Sequence, residues 1–227
     1  SSSAEWSKTS AVSRIRMLVI TGSGCAPMAA TVATSPEAPP APLASRPDMW
    51  ANLIESEARD GYGFILKGRV NDIGYKSICA PANLKMYYEA HRLHGSLPWS
   101  RIVEPAIHWA ENGWTVRPHV HFWWADDGAF GRAPNFERTG FTPAARALYC
   151  RADGSPKRVG DAVVNRDYGQ TLRAIARGGA DVFYTGEIAR AIVEDMRRNE
   201  ALLTAADLEA WTPVRNAPLW GAYRGYR

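Results

Sequence analysis

The side chains able to do acid–base, metal or nucleophilic chemistry fall into a few small groups. His91 and His94 stand three apart in a helically patterned segment, so both could face one ion, but no third ligand follows at a metal-site spacing. His119 and His121 stand two apart and diverge on a helix; the spacing of all four histidines fits ordinary surface or core residues. Asp126-Asp127, set among glycines, could hold a cation, although paired carboxylates of this kind commonly occupy a solvated turn. Gly22-Ser23-Gly24-Cys25 shares its glycines with phosphate loops and nucleophile turns. It lacks the lysine, the spacing and the following helix that those devices need, and reads as flexible loop. Cys25, Cys79 and Cys150 are odd in number and show neither disulfide nor metal spacing, so free thiols are expected. Residue type and spacing alone indicate no catalytic residue and no metal site in this chain.

The elements that must position any site are mainly helical. Residues 1–47 are rich in Ser, Ala and Pro, with one strand expected at Ile15–Thr21, and are set apart from 48–227 as a separate segment. Pro47 suits a first helical position, with Met49, Leu53 and Ile54 as an apolar stripe and Gly61 as the stop. The periodicity predicts helices over 82–94, 105–112, 167–177, 186–198 and 205–210, with strand confined mainly to the first third. Pro98 is expected to start a short helix and Pro105 to restart one, because a proline inside a continuous helix costs about 3 kcal/mol. Residues 126–140 read as loop. Tyr168, Thr171, Leu172 and Ile175 make one stripe; Ile188, Ala191, Ile192 and Met196 make another. Thr204 reads as an N-cap with Asp207 completing an acidic capping box, and Leu203 and Leu208 as the hydrophobic staple around it.

With 227 residues the chain is long enough to bury a sizeable core, and nine Trp and nine Tyr suit a heavily packed interior. The net charge of +4 comes from scattered Lys and Arg, with adjacent basic pairs only at Lys157-Arg158 and Arg197-Arg198, which gives nucleic-acid binding little support. No apolar run approaches membrane-spanning length. Met17-Leu18-Val19-Ile20 after Arg14 and Arg16 is too short and too internal for a signal peptide, which leaves the compartment open.

Three stretches, in order along the chain, carry a family resemblance. GYGFILKGRVNDIGYKSICAPANLKMYYEAHRLHGSLPWSRIVEPAIHWAENGWTV (61–116) contains a Leu-Pro-Trp turn followed by Pro-Ala-Ile. VNRDYGQTLRAIARGGADVFYTG (164–186) follows. The last, 181–227, holds Phe183-Tyr184-Thr185-Gly186, Leu202-Leu203-Thr204, Pro218-Leu219-Trp220 and Tyr223-Arg224-Gly225-Tyr226. Together they resemble the large subunit of the gamma-glutamyltransferase (glutathione hydrolase) family, over about two thirds of the chain.

The resemblance implies an α+β fold, the αββα sandwich of Ntn hydrolases in the parent, of which this chain is a mainly helical portion, incomplete at both ends. It also implies an autoprocessed zymogen of glutathione metabolism, without metal or organic cofactor. The precursor cuts itself, and the freed N-terminal threonine of a partner small subunit attacks a gamma-glutamyl amide with its own α-amine as base. Backbone N–H groups stabilise the oxyanion, and water or an amine takes the acyl group. No threonine here has the matching context, so no catalytic residue is expected in this chain, and it should be inactive and partner-dependent alone. The family's arginine for the substrate α-carboxylate belongs just before Glu37-Ala38-Pro39, where this sequence has Ser35-Pro36; neither replaces a bidentate guanidinium, and Arg46 is the nearest arginine. That departure admits a related acylase for another amide, such as a cephalosporin side chain or oxamate. A non-catalytic remnant that only binds a partner subunit is the alternative of a different class. The family is often extracytoplasmic.

Overall fold

Two apolar clusters organise the chain, one under the C-terminal helices and one between two long helices. The computed structural model describes residues 31–34, 41–59, 61, 63–126, 128, 132–216 and 220–225. The strand expected at Ile15–Thr21, the Gly22–Cys25 turn, Ser35, Pro36 and Asp127 lie outside these.

Among the described residues the helices are α1 (Asn83–His94), α2 (Trp99–Asn112), α3 (Pro118–Trp124), α4 (Asn135–Thr139), α5 (Pro143–Tyr149), α6 (Arg166–Gly178), α7 (Asp181–Tyr184), α8 (Glu187–Arg198) and α9 (Ala205–Ala210). Short strands form three antiparallel pairs: β1 (Thr31–Thr34) with β6 (Pro213–Asn216), β2 (Ile54–Glu57) with β3 (Phe64–Leu66), and β4 (Trp114–Thr115) with β5 (Ala162–Val163). Four of the five predicted helices are present to within a residue at each end. Strand reaches further than expected, since β4, β5 and β6 all lie beyond the first third.

The fifth helix is longer than predicted. Residues 99–112 form one helix through Pro105 instead of two separated by it. Val103, Ile107 and Ala110 straddle the proline on one face, are all buried, and pack with Leu172 of α6. Pro105 and Arg101, whose carbonyl loses its donor, are on the exposed side where water can reach them. Trp99 Nε1 donates to the Ile175 carbonyl at 3.0 Å, and Arg173 chelates Glu111 through two 2.6 Å bonds, so both ends of the α2–α6 contact are fastened. Gly169 is required here: a Cβ at that position would lie 2.5 Å from Glu111 Cγ.

Three further expectations are corrected. The helix from Pro47 to Gly61 is a run of turns, a 3-10 turn over Ala51–Leu53, then β2. The Ile54-Glu55-Ser56-Glu57 stretch pairs with β3 instead, Ile54 opposite Leu66 and Glu57 opposite Phe64. The loop expected over 126–140 contains α4, which remote polar groups hold: Ala133 N–H donates to Asp72 Oδ2 at 2.5 Å, and the Arg138 guanidinium pairs with the same carboxylate. The helical stripes are also rotated slightly. On α6, Gly169, Leu172 and Ile175 are buried while Tyr168 is 53% exposed. On α8, Ala189 is buried with Ile192, Val193 and Met196 against the core, whereas Ala191 is exposed.

The C-terminal capping unit is as predicted. Thr204 and Asp207 form the capping box of α9, and Leu203 and Leu208, 4% and 0% exposed, close the staple within the cluster that also holds Tyr184.

Candidate functional site

One histidine of each pair, His91 and His119, packs against a tryptophan ring. His91 bonds the Leu97 carbonyl through Nε2 at 2.8 Å and lies 5.3 Å from the Trp99 ring, which fastens the turn between α1 and α2. His119 stacks edge-on to Trp123 on α3, while His121 Nδ1 is buried without a hydrogen-bond partner. Asp126 accepts from the Asn135 side chain at 3.3 Å, and its carbonyl accepts the Asn135 N–H, so it braces the start of α4. Cys79 and Cys150 are free thiols. Among the described residues, no three His, Cys, Asp or Glu converge to hold a metal ion.

What the structure does assemble is a pair of long-range anchors, one at Thr34 and one at Leu43. On one side Thr34 ends β1, paired with Pro213 of β6. On the other, Leu43 N–H donates to Asp207 Oδ1 at 2.5 Å across 164 positions of sequence. Asp207 is 5% exposed, and its other oxygen accepts from the Thr204 N–H and hydroxyl at 2.6 and 2.7 Å. One buried carboxylate therefore both caps α9 and ties down the chain just after the stretch carrying Ser35 and Pro36. Periodicity reveals only the first of these roles, because a bond to Leu43 leaves no local pattern.

The α9–β6 unit is itself anchored to α1. Tyr184, 1% exposed, accepts from the Lys85 N–H at 3.1 Å, and burial raises its phenol above the usual range. Lys85 Nζ donates to the Trp211 carbonyl at 2.7 Å and sits 5.0 Å over the Tyr184 ring. Glu89 accepts from Arg92 and from Arg215 of β6, and those two guanidinium bonds pull its carboxyl down to about 2. Chemically these groups fix backbone; none pairs a nucleophile with a base.

A family model described as gamma-glutamyltranspeptidase matches residues 37–227. The acylase ACY 1 proenzyme of Pseudomonas sp. (strain SE83) is 34% identical over 161 residues, covering 70% of this chain and 27% of that protein. The glutathione hydrolase proenzyme of Escherichia coli (strain K12) is 34% identical over 137 residues, 59% of this chain and 22% of that protein. In fold, the chain is similar to Helicobacter pylori gamma-glutamyltranspeptidase at a TM-score of 0.69, with 22% identity over 95% of this chain and 60% of that one. It is also similar to the cephalosporin acylase from Bacillus halodurans at 0.58, with 26% identity over 68% of this chain and 28% of that one. The chain thus spans about a quarter of the length of the curated relatives it matches. It belongs to the gamma-glutamyltranspeptidase family, and its α+β, mainly helical architecture is that of a portion of the Ntn-hydrolase fold.

Proposed function

We propose that this member of the gamma-glutamyltranspeptidase family works as part of the large subunit of an autoprocessed hydrolase or acyltransferase that acts on gamma-glutamyl amides. The N-terminal threonine of a small subunit supplies the nucleophile, and its α-amine the base. This chain's share of the work is to position the substrate, with the anchors at Thr34 and Leu43 as its described framework. The observation that carries the reading is the pair of anchors on described residues, Thr34 by β1–β6 and Leu43 by Asp207, together with a family match over residues 37–227. The relatives named as proenzymes support processing into two subunits.

A second reading has its own observation. Ser35 and Pro36 stand where the resemblance expects the carboxylate-binding arginine, and Arg46 is 76% exposed and directed to Asp48 at 3.8 Å. A neutral position there suits an acyl group without an α-carboxylate, as in the acylase reading. The two are separated by assaying the processed parent on a gamma-glutamyl anilide and on a cephalosporin side-chain amide, with and without Ser35→Arg. The gamma-glutamyl reading with a weakened donor site predicts measurable anilide turnover, with KM lowered about tenfold by the added arginine. Anilide turnover absent in both forms, alongside brisk cleavage of the cephalosporin amide, overturns it in favour of the acylase.

A further inference from the structure

Between the turns of residues 41–54 and the β2–β3 hairpin lies a cleft of about 540 Å3 that Leu202 also lines. Trp50, Ile54, Phe64 and Ile78 form its apolar wall, and Arg46 and Lys76 also line it. Ile54 and Phe64 are 47% and 49% exposed, so the hairpin presents its large side chains to this cleft without sinking them in a core. Asn71 Nδ2 donates to the Phe64 carbonyl at 2.9 Å and holds that wall to the segment behind it.

Charge is one-sided here. Among the described lining residues there is no carboxylate, Lys76 has no ion pair among the described residues, and Arg46 pairs with the solvated Asp48. An exposed pair at 3.8 Å neutralises little. Small-ligand sites are clefts of roughly 300–1,000 Å3 with mostly apolar walls and a few polar groups that fix orientation. Apolar walls with two cations and no anion among the described lining residues select a ligand that is apolar along its length and negative at one end.

We propose that this cleft binds an amphipathic organic anion, with an aryl or medium-length alkyl body against Trp50 and Phe64 and a carboxylate or sulfonate at Lys76. The site requires neither the amide chemistry nor a small subunit, and it stands or falls apart from the function proposed above.

Cys79 lines the same cleft and is exposed, whereas Cys150 lies outside it, so the chain carries its own reporter and control. In the 227-residue chain with Cys25→Ser, the probe is 8-anilinonaphthalene-1-sulfonate, and the readout is iodoacetamide alkylation at each cysteine by mass spectrometry. At ten times its dissociation constant the probe should slow Cys79 alkylation by about tenfold and leave Cys150 unchanged. Lys76→Glu, at an exposed position, should raise the probe concentration needed by about tenfold while leaving protection by neutral N-phenyl-1-naphthylamine unaltered. Equal slowing at both cysteines, or none at Cys79, overturns the site. Protection by the sulfonate that is indifferent to Lys76→Glu overturns its anionic preference.

Discussion

Residues 166–210 bury Tyr184 and Leu208 almost completely, whereas residues 41–79 leave Leu43, Ile54 and Phe64 between 47% and 63% exposed. The first region is built from helices whose apolar faces repeat at helical spacing and whose ends carry their own caps. The second consists of turns and a short hairpin held by backbone groups bonded to remote side chains, Leu43 to Asp207 and Ala133 to Asp72 among them. The difference teaches where this chain's stability resides. Burial holds the helical unit, and Asp207 of that unit is bonded to the Leu43 N–H of the more exposed stretch.

Three losses probe this division in falling order of effect, the first of them set against a control in the hairpin. Leu208→Ala removes a side chain with no exposure from the centre of the main cluster, and should cost about 3 kcal/mol in denaturant unfolding of the chain, while Ile54→Ala in the hairpin should cost less than about 0.5 kcal/mol. Comparable losses at the two sites would erase the contrast. Asp207→Ala leaves the Thr204 and Leu43 N–H groups without their acceptor and should cost about 2 kcal/mol. Its more telling consequence is local: hydrogen exchange at Leu43 should rise sharply, and protection that persists would show the 41–46 turn to be held by something else.

The smallest of the three losses is electrostatic and depends on pH. Glu89 titrates at about 2 in the folded chain, below its usual 4.5, because Arg92 and Arg215 bond its charged form. A carboxyl with a depressed folded pKa contributes stability that is fully present above the unfolded value and is lost as pH falls through the folded one. Glu89→Gln should therefore cost about 1 kcal/mol at neutral pH, a modest figure because Arg215 is half exposed. The gap between the two proteins should narrow from pH 4.5 down to about 2 and vanish below that. A gap that stays constant across this window would assign the cost to packing.

The same division governs what can be read from the sequence. Helices α1, α6, α8 and α9 follow from stripes and caps, because their order is encoded within a turn or two of each residue. Helix α2 defeats a rule that is sound in isolation, since burial of Val103 and Ile107 on both sides of Pro105 outweighs one missing bond. Helix α5 could have been found from Thr142-Pro143, an N-cap followed by a first-position proline, and the structure shows Thr142 Oγ1 accepting from Ala145 N–H at 3.1 Å. The hairpin and α4 could not, because Ile54 opposite Leu66 and Arg138 on Asp72 are pairings across sequence distance. Of the candidate site, Asp207 was legible as a cap and illegible as a tether; Ser35 and Pro36 were marked by the family resemblance alone.

The central proposal is that this chain positions an amide substrate for the N-terminal threonine of a partner small subunit. Purified residues 1–227 and the processed parent with its threonine-initiated subunit, assayed side by side on a gamma-glutamyl anilide and a cephalosporin side-chain amide, test it directly. The account predicts no hydrolysis above buffer from the chain alone, with turnover only when the threonine-initiated subunit is present and lost when that threonine becomes alanine. Turnover of either amide by the isolated, monomeric chain would contradict it.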